Sequence, residues 1–235
     1  MTTDATPRPQ DEVAARAPST ELVVAKVWEL PVRVVHWTIF VSVVVLSFTG
    51  FYIGAPFLSS GSDPGFLMGG MRSVHSLAAF VFIAAILARI IWAFTGNKWS
   101  HWDQFLPIAK ERRTNARSAL RYYLFMSDEP PHEAGHNALA GATYLVLFMM
   151  FLAQILTGLA LLSLESEGFL ASTTGWVFSI APIPWVRFLH HLIMWLTWGF
   201  VIHHVYSAWL VDSDAKAGLM SSIFTGWKRL PPEDL

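Results

Sequence analysis

The sequence predicts an all-α integral membrane protein, a bundle of four transmembrane helices with both termini in the cytoplasm. Of the 235 residues, 54% are hydrophobic and only 14% are charged, whereas an ordinary soluble domain has about 25% charged residues. Mean hydropathy is +0.44. Crossing the hydrocarbon core takes roughly 20 apolar residues, and segments near this length lie at 34–52, 73–94, 138–164 and 185–211.

The chain before and after these segments is polar. Residues 1–25 mix acids, Pro and Arg without the apolar stretch of a signal peptide, and they predict a disordered cytoplasmic tail. Residues 26–211 then form the membrane domain, and residues 212–235 form a C-terminal tail. This division treats the chain as a single domain without internal repeats.

Lys and Arg predict the orientation of the bundle. The connection 97–134, between the second and third spans, holds six of these cations, and three more lie after residue 211. Because Lys and Arg concentrate in cytoplasmic loops, both segments are expected inside the cell. Within this connection, residues 111–126 predict an amphipathic helix on the inner membrane surface.

The chain contains no cysteine. This excludes disulfides, thiolate zinc sites, iron–sulfur clusters and covalently attached haem. The net charge of −1 gives nucleic acid no basic surface to bind. Metal chemistry must therefore depend on the nine histidines, with Met and carboxylates as the remaining possible ligands.

Two of these histidines, His190 and His204, are 14 residues apart in the fourth span. Fourteen helical steps return to within roughly 40° of the same face and rise about 21 Å. The topology pairs His75 with His190 on the outer side and His36 with His204 on the cytoplasmic side. Paired imidazoles at two depths predict axial ligation of two b-type haems, which carry electrons and leave no open site on iron.

Arginines accompany the predicted ligands. Three of them precede a ligand by three residues, which places each on the ligand's helix face, where a guanidinium can bind a haem propionate. Arg89 lies 14 residues after His75, so it is expected to reach the inner haem and to need an anionic partner. Gly50 lies 14 residues after His36, where a missing side chain lets a macrocycle approach the backbone. The three arginines that precede ligands are Arg33, Arg72 and Arg187.

Simpler readings of these residues stay open. A single membrane histidine can hydrogen-bond a neighbour, an arginine at a helix mouth can be a topology determinant or a snorkelling anchor, and Gly50 can serve helix packing. His203 in place of His204 would break the 14-residue spacing. His136 and Asn137, at the entry to the third span, are candidate hydrogen-bond donors to a quinone carbonyl. The alternative there is a helix N-cap by Asn137 beside a solvated histidine.

Several longer motifs resemble the cytochrome b subunit of membrane-bound [NiFe] uptake hydrogenases, over nearly the whole chain after residue 26. One departure is Ile193, where relatives often have Gly. The resemblance is carried by Pro31-Val-Arg-Val-Val-His-Trp37, Thr49-Gly-Phe-Tyr-Ile-Gly54, Phe66-Leu-Met-Gly-Gly-Met-Arg-Ser-Val-His75, Arg89-Ile-Ile-Trp-Ala-Phe-Thr-Gly-Asn97, Gly135-His-Asn-Ala-Leu-Ala140, and the stretch from Arg187-Phe-Leu-His-His191 to His203-His-Val-Tyr206.

This resemblance implies a role in hydrogen oxidation in the bacterial cytoplasmic (inner) membrane. A large and a small subunit would oxidise hydrogen on the periplasmic side, and electrons would pass through the outer and inner haems to menaquinone or ubiquinone. The small subunit's C-terminal helix would pack against the bundle, and several complexes would form a higher-order assembly. The subunit itself would perform no bond chemistry on hydrogen, so any catalysis of its own would be quinone reduction.

Other functions remain as alternatives. The same dihaem bundle would suit a formate dehydrogenase or thiosulfate reductase, whose cytochrome subunits are similar in fold. A haem-free histidine transporter or metal carrier predicts carboxylates within the spans, yet Asp and Glu are absent from all four. A purely structural anchor leaves the paired histidine depths unexplained.

Overall fold

The computed structural model describes residues 22–57, 64–105, 110–128, 138–165, 168–232 and 235. Two short strands enclose the helical part of the chain. In chain order the elements are β1 (Val23–Lys26), α1 (Leu30–Gly54), α2 (Pro64–Thr95), a 3₁₀ turn (Trp102–Phe105), α3 (Lys110–Tyr123), α4 (Ala138–Ser163), α5 (Phe169–Thr174), α6 (Val177–Ile180), α7 (Ile183–Ala215), α8 (Leu219–Thr225) and β2 (Trp227–Leu230).

The four long helices, α1, α2, α4 and α7, confirm the four predicted spans, because each is long and apolar enough to cross a membrane. The chain is therefore a multi-pass membrane protein. Three helices exceed their predicted bounds: α1 covers Leu30–Gly54, α2 begins at Pro64 and α7 continues to Ala215. At about 1.5 Å per residue, such helices are longer than the hydrocarbon core, so their ends project beyond it.

The bundle consists of two helix pairs, α1 with α2 and α4 with α7. Val43, Phe82, Ile86 and Phe151 form the central core between the pairs. The indole of Trp198 donates a hydrogen bond of 2.9 Å to the Ser47 hydroxyl and so joins α7 to α1. Many other apolar side chains of the spans face outward, as expected of helices surrounded by lipid.

A small folded layer covers the end of the bundle where α1 begins and α7 ends. We call this layer the cap; it consists of β1, β2 and α8. The strands pair antiparallel, with Val23 opposite Leu230 and Lys26 opposite Trp227. Val27 and Trp28 are buried against Leu230 beneath them. Residues 23–25 and 219–230, which the sequence assigned to tails, are therefore folded, because each segment provides the other's hydrogen-bonding partner.

Glu29 connects the cap to the bundle through hydrogen bonds. Its carboxylate accepts hydrogen bonds of 3.0 Å from the Trp92 indole and from the backbone N–H of Asn97. The Asn97 side chain donates in turn to the carbonyl of Val27 at 2.8 Å. The beginning of α1 is thus held against the end of α2. Because β1 precedes the start of α1 and β2 follows the end of α7, the membrane domain begins and ends at this cap end.

The connections carry further short helices. Helix α3 confirms the helix predicted at 111–126 and packs on α4. The hydroxyl of Tyr122 donates a hydrogen bond to the Asp214 carboxylate, and burial together with this bond raises the pKa of Tyr122 above its usual value. At the opposite end of the bundle, α5 and α6 leave Phe169 and Ile180 83% and 75% exposed.

Candidate functional site

His36 on α1 and His204 on α7 face each other near the cap end. Their ring centroids are 6.3 Å apart. The ring of Phe200, one turn before His204, stacks on it at 5.5 Å, and the Tyr144 hydroxyl on α4 lies 3.0 Å from His204 Nδ1. His36 Nδ1 is buried and has no hydrogen-bond partner among the described residues. The structure thus brings together the pair that the sequence placed on the inner side.

His75 and His190 lie toward the opposite end, and each contacts a threonine of the neighbouring helix. The Thr49 hydroxyl on α1 is 2.8 Å from His75 Nδ1. The Thr157 hydroxyl on α4 is 3.0 Å from His190 Nδ1. The Gln154 amide approaches the other nitrogen, His190 Nε2, at 3.3 Å. Neighbouring helices thus contact both rings through threonine hydroxyls, and the pairing of His75 with His190 stays a prediction.

Two glycines allow these imidazoles to lie close to the neighbouring helices, because they have no side chain at the point of contact. A Cβ on Gly50 would lie 3.3 Å from Cε1 of His75, and a Cβ on Gly158 would lie 3.1 Å from Cε1 of His190. Such contacts are tighter than most real Cβ contacts, so any larger residue would push the ring away. Gly50 therefore lies beside the predicted outer site, where a Cβ would crowd the His75 ring.

The four predicted arginines have different partners. Arg33 donates to the carbonyl of Phe224 in α8, and Arg72 forms an exposed ion pair of 2.5 Å with Glu165. Arg187 is exposed near the start of α7, and its guanidinium makes no hydrogen bond or ion pair with the described residues. No side chain within the described ranges supplies the anionic partner expected for Arg89. Its guanidinium donates to the Ser100 carbonyl at 3.2 Å, lies over the Phe105 ring, and keeps one buried nitrogen unpaired.

The remaining candidate residues are the two histidines next to predicted ligands and the two predicted quinone residues. His191 Nδ1 donates to the carbonyl of Arg187 at 2.9 Å, and its ring approaches Gly54 of α1. His203 is exposed beside Tyr123 and Ser207. Neither replaces its neighbour in the paired arrangement. The predicted quinone residues His136 and Asn137 lie outside the described residues.

Comparison with known proteins connects this arrangement to one family. The family model described as prokaryotic cytochrome b561 matches residues 27–226. The chain belongs to that family. Its cofactor class is accordingly haem b, which the family's name denotes and which fits the paired histidines. The family resemblance drawn from the sequence motifs is confirmed.

Curated relatives carry a more specific name. The chain is 36% identical over 208 residues to the probable Ni/Fe-hydrogenase B-type cytochrome subunit of Bradyrhizobium diazoefficiens, covering 85% of this chain and 84% of the relative. The protein of that name from Cupriavidus necator is 35% identical, with 86% of each chain covered. The probable Ni/Fe-hydrogenase 1 B-type cytochrome subunit of Escherichia coli is 33% identical, covering 86% of this chain and 89% of the relative.

The residues present fit a b-type haem of this cytochrome family. With metal–imidazole bonds of about 2 Å, two trans imidazole rings on one metal lie roughly 6 Å apart between centroids, close to the 6.3 Å of His36 and His204. The macrocycle fills the other four positions of a haem iron, so a pair of histidines suffices. The unpaired buried nitrogen of Arg89 suits a propionate.

Sequence reasoning did not find three of the contacts described above: Thr157, Gly158 and Tyr144. A signal for the first two was present. The dipeptide Thr-Gly occurs in α1 at Thr49-Gly50 and again in α4 at Thr157-Gly158. No comparable pattern marks Tyr144, whose contact depends on how α4 and α7 pack.

Proposed function

We propose that this chain is the membrane anchor and electron-transfer subunit of a periplasmic [NiFe] hydrogenase, and that electrons from hydrogen reach the quinone pool through two haems b. The observation that carries the proposal is the occurrence of two histidine pairs at two depths of one membrane bundle. The names of the curated relatives, which are B-type cytochrome subunits of Ni/Fe-hydrogenases, support the hydrogenase assignment.

The ligand assignment follows from the pairs. His36 and His204 bind iron at the cap end, and His75 and His190 bind iron at the opposite end. When bound, haem b supplies reversible one-electron transfer. The protein residues keep both axial positions filled, so that oxygen has no open coordination site, and the spans around them exclude water.

The charge distribution supports an orientation with the cap end in the cytoplasm. The described part of α3 adjoins the cap end and carries Arg117 and Arg121, and Lys228 and Arg229 lie in β2. The connection at the opposite end instead begins with Glu165. Under the positive-inside rule, both ends of the membrane domain are cytoplasmic, and the His75–His190 pair faces the periplasm.

The partners follow from the same orientation. The face of α5 and α6, with its exposed Phe169, Trp176 and Ile180, lies where the hydrogenase small subunit would approach. The small subunit's C-terminal helix would add to the four spans, and several complexes would assemble together. His136 and Asn137, directly before α4, would bind the quinone at the cytoplasmic side.

A reduced-minus-oxidised visible spectrum of membranes that contain the whole complex tests this function. Hydrogen serves as the reductant and dithionite as the end point. We expect a haem b band that hydrogen fills to the dithionite level, with two haems per chain by haem extraction and protein quantification.

Two other results would redirect the assignment. A band that only dithionite fills keeps the cytochrome but rejects hydrogen as the donor, and the same membranes would then be tested with formate or thiosulfate as the substrate of the partner enzyme. The absence of a haem b band, with the chain present by immunoblot, rejects the histidine-pair interpretation altogether.

A further inference from the structure

The two halves of the bundle present the opposite-end histidines in the same way. In α1, Thr49 and Gly50 meet His75 of α2. In α4, Thr157 and Gly158 meet His190 of α7. In both cases the threonine hydroxyl lies within 3.0 Å of Nδ1, and the following glycine makes room for the ring.

The hydrogen-bonding partners of the threonines determine which nitrogen of each ring carries the proton. The Thr49 hydroxyl donates to the Val45 carbonyl at 2.7 Å, and the Thr157 hydroxyl donates to the Ala153 carbonyl at 2.8 Å. A hydroxyl has only one hydrogen to donate. Because that hydrogen is used within the helix, the threonine oxygen must accept from the histidine.

It follows that Nδ1 carries the proton in both rings and that Nε2 keeps its lone pair. The Gln154 amide group, which can donate to that lone pair, is 3.3 Å from Nε2 of His190. The tautomer required for ligation through Nε2 is thus set before any metal binds.

The glycines make this contact possible. A methyl group at Gly50 or Gly158 would press on Cε1, the ring atom next to Nδ1. Relief of that contact moves the ring away from the helix and lengthens its bond to the threonine. Thr and Gly therefore act together as a seat for the imidazole, and the seat occurs once in each helix pair.

The cap-end pair lacks this seat. His204 Nδ1 faces the Tyr144 hydroxyl, and His36 Nδ1 is without a hydrogen-bond partner among the described residues. A ligand N–H that donates to an oxygen makes the ring a more basic ligand, which favours ferric over ferrous iron. The two pairs therefore differ in the property that tunes a haem potential.

Building on the function proposed above, we infer that Thr49 and Thr157 are positioning residues which hold His75 and His190 in the ligating tautomer and keep the reduction potential at that site below the potential at the cap-end site. This order of potentials favours electron flow from the periplasmic side toward the cytoplasmic side.

A redox titration of the haem b band in the intact complex tests this inference, with T157V and the double variant T49V/T157V. We expect one of two midpoint potentials to shift upward, further in the double variant, while the other stays at its wild-type value. The low-spin ferric EPR signal of the same site should also shift. T157S, which keeps a hydroxyl, should restore the wild-type potential.

Thr197 provides a matched control. It is buried in α7 and donates to the Ile193 carbonyl at 2.8 Å in the same way, yet among the described residues no histidine contact is recorded for it. T197V should leave both potentials unchanged. A structural effect of losing any buried threonine hydroxyl would instead appear in T197V as well.

Several outcomes would overturn the inference. One is that T157V and the double variant retain two haems with wild-type potentials; another is that the shift occurs at both sites or also in T197V. If T157V fails to load haem, T157A and T157S are compared: retention with serine alone supports the inference, and loss with both rejects it. A wild-type complex without two haems would reject the proposed function itself, which separates the two failures.

Discussion

At the scale of single residues, Arg89 places a positive charge in a membrane span. Among the described residues, no carboxylate pairs with it. An arginine within a spanning helix disfavours insertion, by about 2.5–3.5 kcal/mol at the centre and by less toward the ends, where Arg89 lies. The Ser100 carbonyl and the Phe105 ring compensate for only part of this, because neither is charged. A haem propionate near the cap end would provide the missing anion.

Replacing Arg89 by Gln should therefore weaken haem binding at one site. A hydrogen bond to a charged group contributes about 1.5–3 kcal/mol, so we expect one haem to dissociate about one to two orders of magnitude more readily. Haem content per chain, measured during a chase with a haem-scavenging protein, checks this. Arg89→Lys should be milder, and exposed Arg117→Gln should match wild type. Equal haem retention by all four proteins would contradict the propionate assignment.

The residues of the site divide into those that the sequence reveals and those that it does not. The spacing of His190 and His204 and the topology of the four spans predict both pairs without knowledge of the packing. The contacts of Thr157, Gly158 and Tyr144 depend on the rotation of α4 about its axis, which hydropathy does not specify. Arg72 was predicted beside a propionate, and the structure pairs it with Glu165.

At the scale of elements, the cap depends on a few partly buried polar contacts. Glu29 accepts from two neutral donors that lie at the end of α2, Trp92 and Asn97. Removal of the carboxylate leaves both donors without this acceptor. Since an unsatisfied buried donor costs about 1–3 kcal/mol, the attachment of the cap is sensitive to this one side chain.

Glu29→Ala should therefore loosen the cap and lower the thermal stability of the detergent-purified complex. We expect faster hydrogen exchange in residues 22–30 and 226–230, while exchange in the middle of α1 stays slow. Glu165→Ala is the matched control, because it removes a carboxylate from an ion pair whose side chains are 52% and 55% exposed, and such pairs contribute little. Unchanged exchange in the cap of Glu29→Ala would refute this role.

The elements differ in how far local sequence predicts them. The four spans are predicted by the length of their apolar segments alone. Helix α3 is predicted by basic residues on one side and apolar residues on the other. The cap strands were missed because each has four residues, and a two-stranded sheet is marginal without further packing. Its stability comes from contacts between Val23–Lys26 and Trp227–Leu230, which are nearly the whole chain apart.

At the scale of the whole molecule, the proposed function places the entry and the exit of electrons at opposite ends of the bundle. The seated pair, His75 and His190, lies toward the exposed apolar face of α5 and α6. The other pair lies beside the cap and the basic connection. In the orientation proposed here, each electron crosses the membrane field, which corresponds to about 2.3 kcal/mol per 100 mV. Under the proposed function, the chain would therefore connect hydrogen oxidation on one side to quinone protonation on the other.

The exit side provides the last prediction. If His136 donates a hydrogen bond to the bound quinone, His136→Ala should slow hydrogen-dependent quinone reduction about ten-fold, the effect of losing a bond of roughly 1.4 kcal/mol. Hydrogen should still reduce the haem b band to the dithionite level, because electron entry is intact. His132→Ala, four residues earlier in the same polar segment, is the control and should match wild type in both assays. Wild-type turnover in His136→Ala would place the quinone elsewhere, and an unreduced haem band would place His136 on the electron route itself.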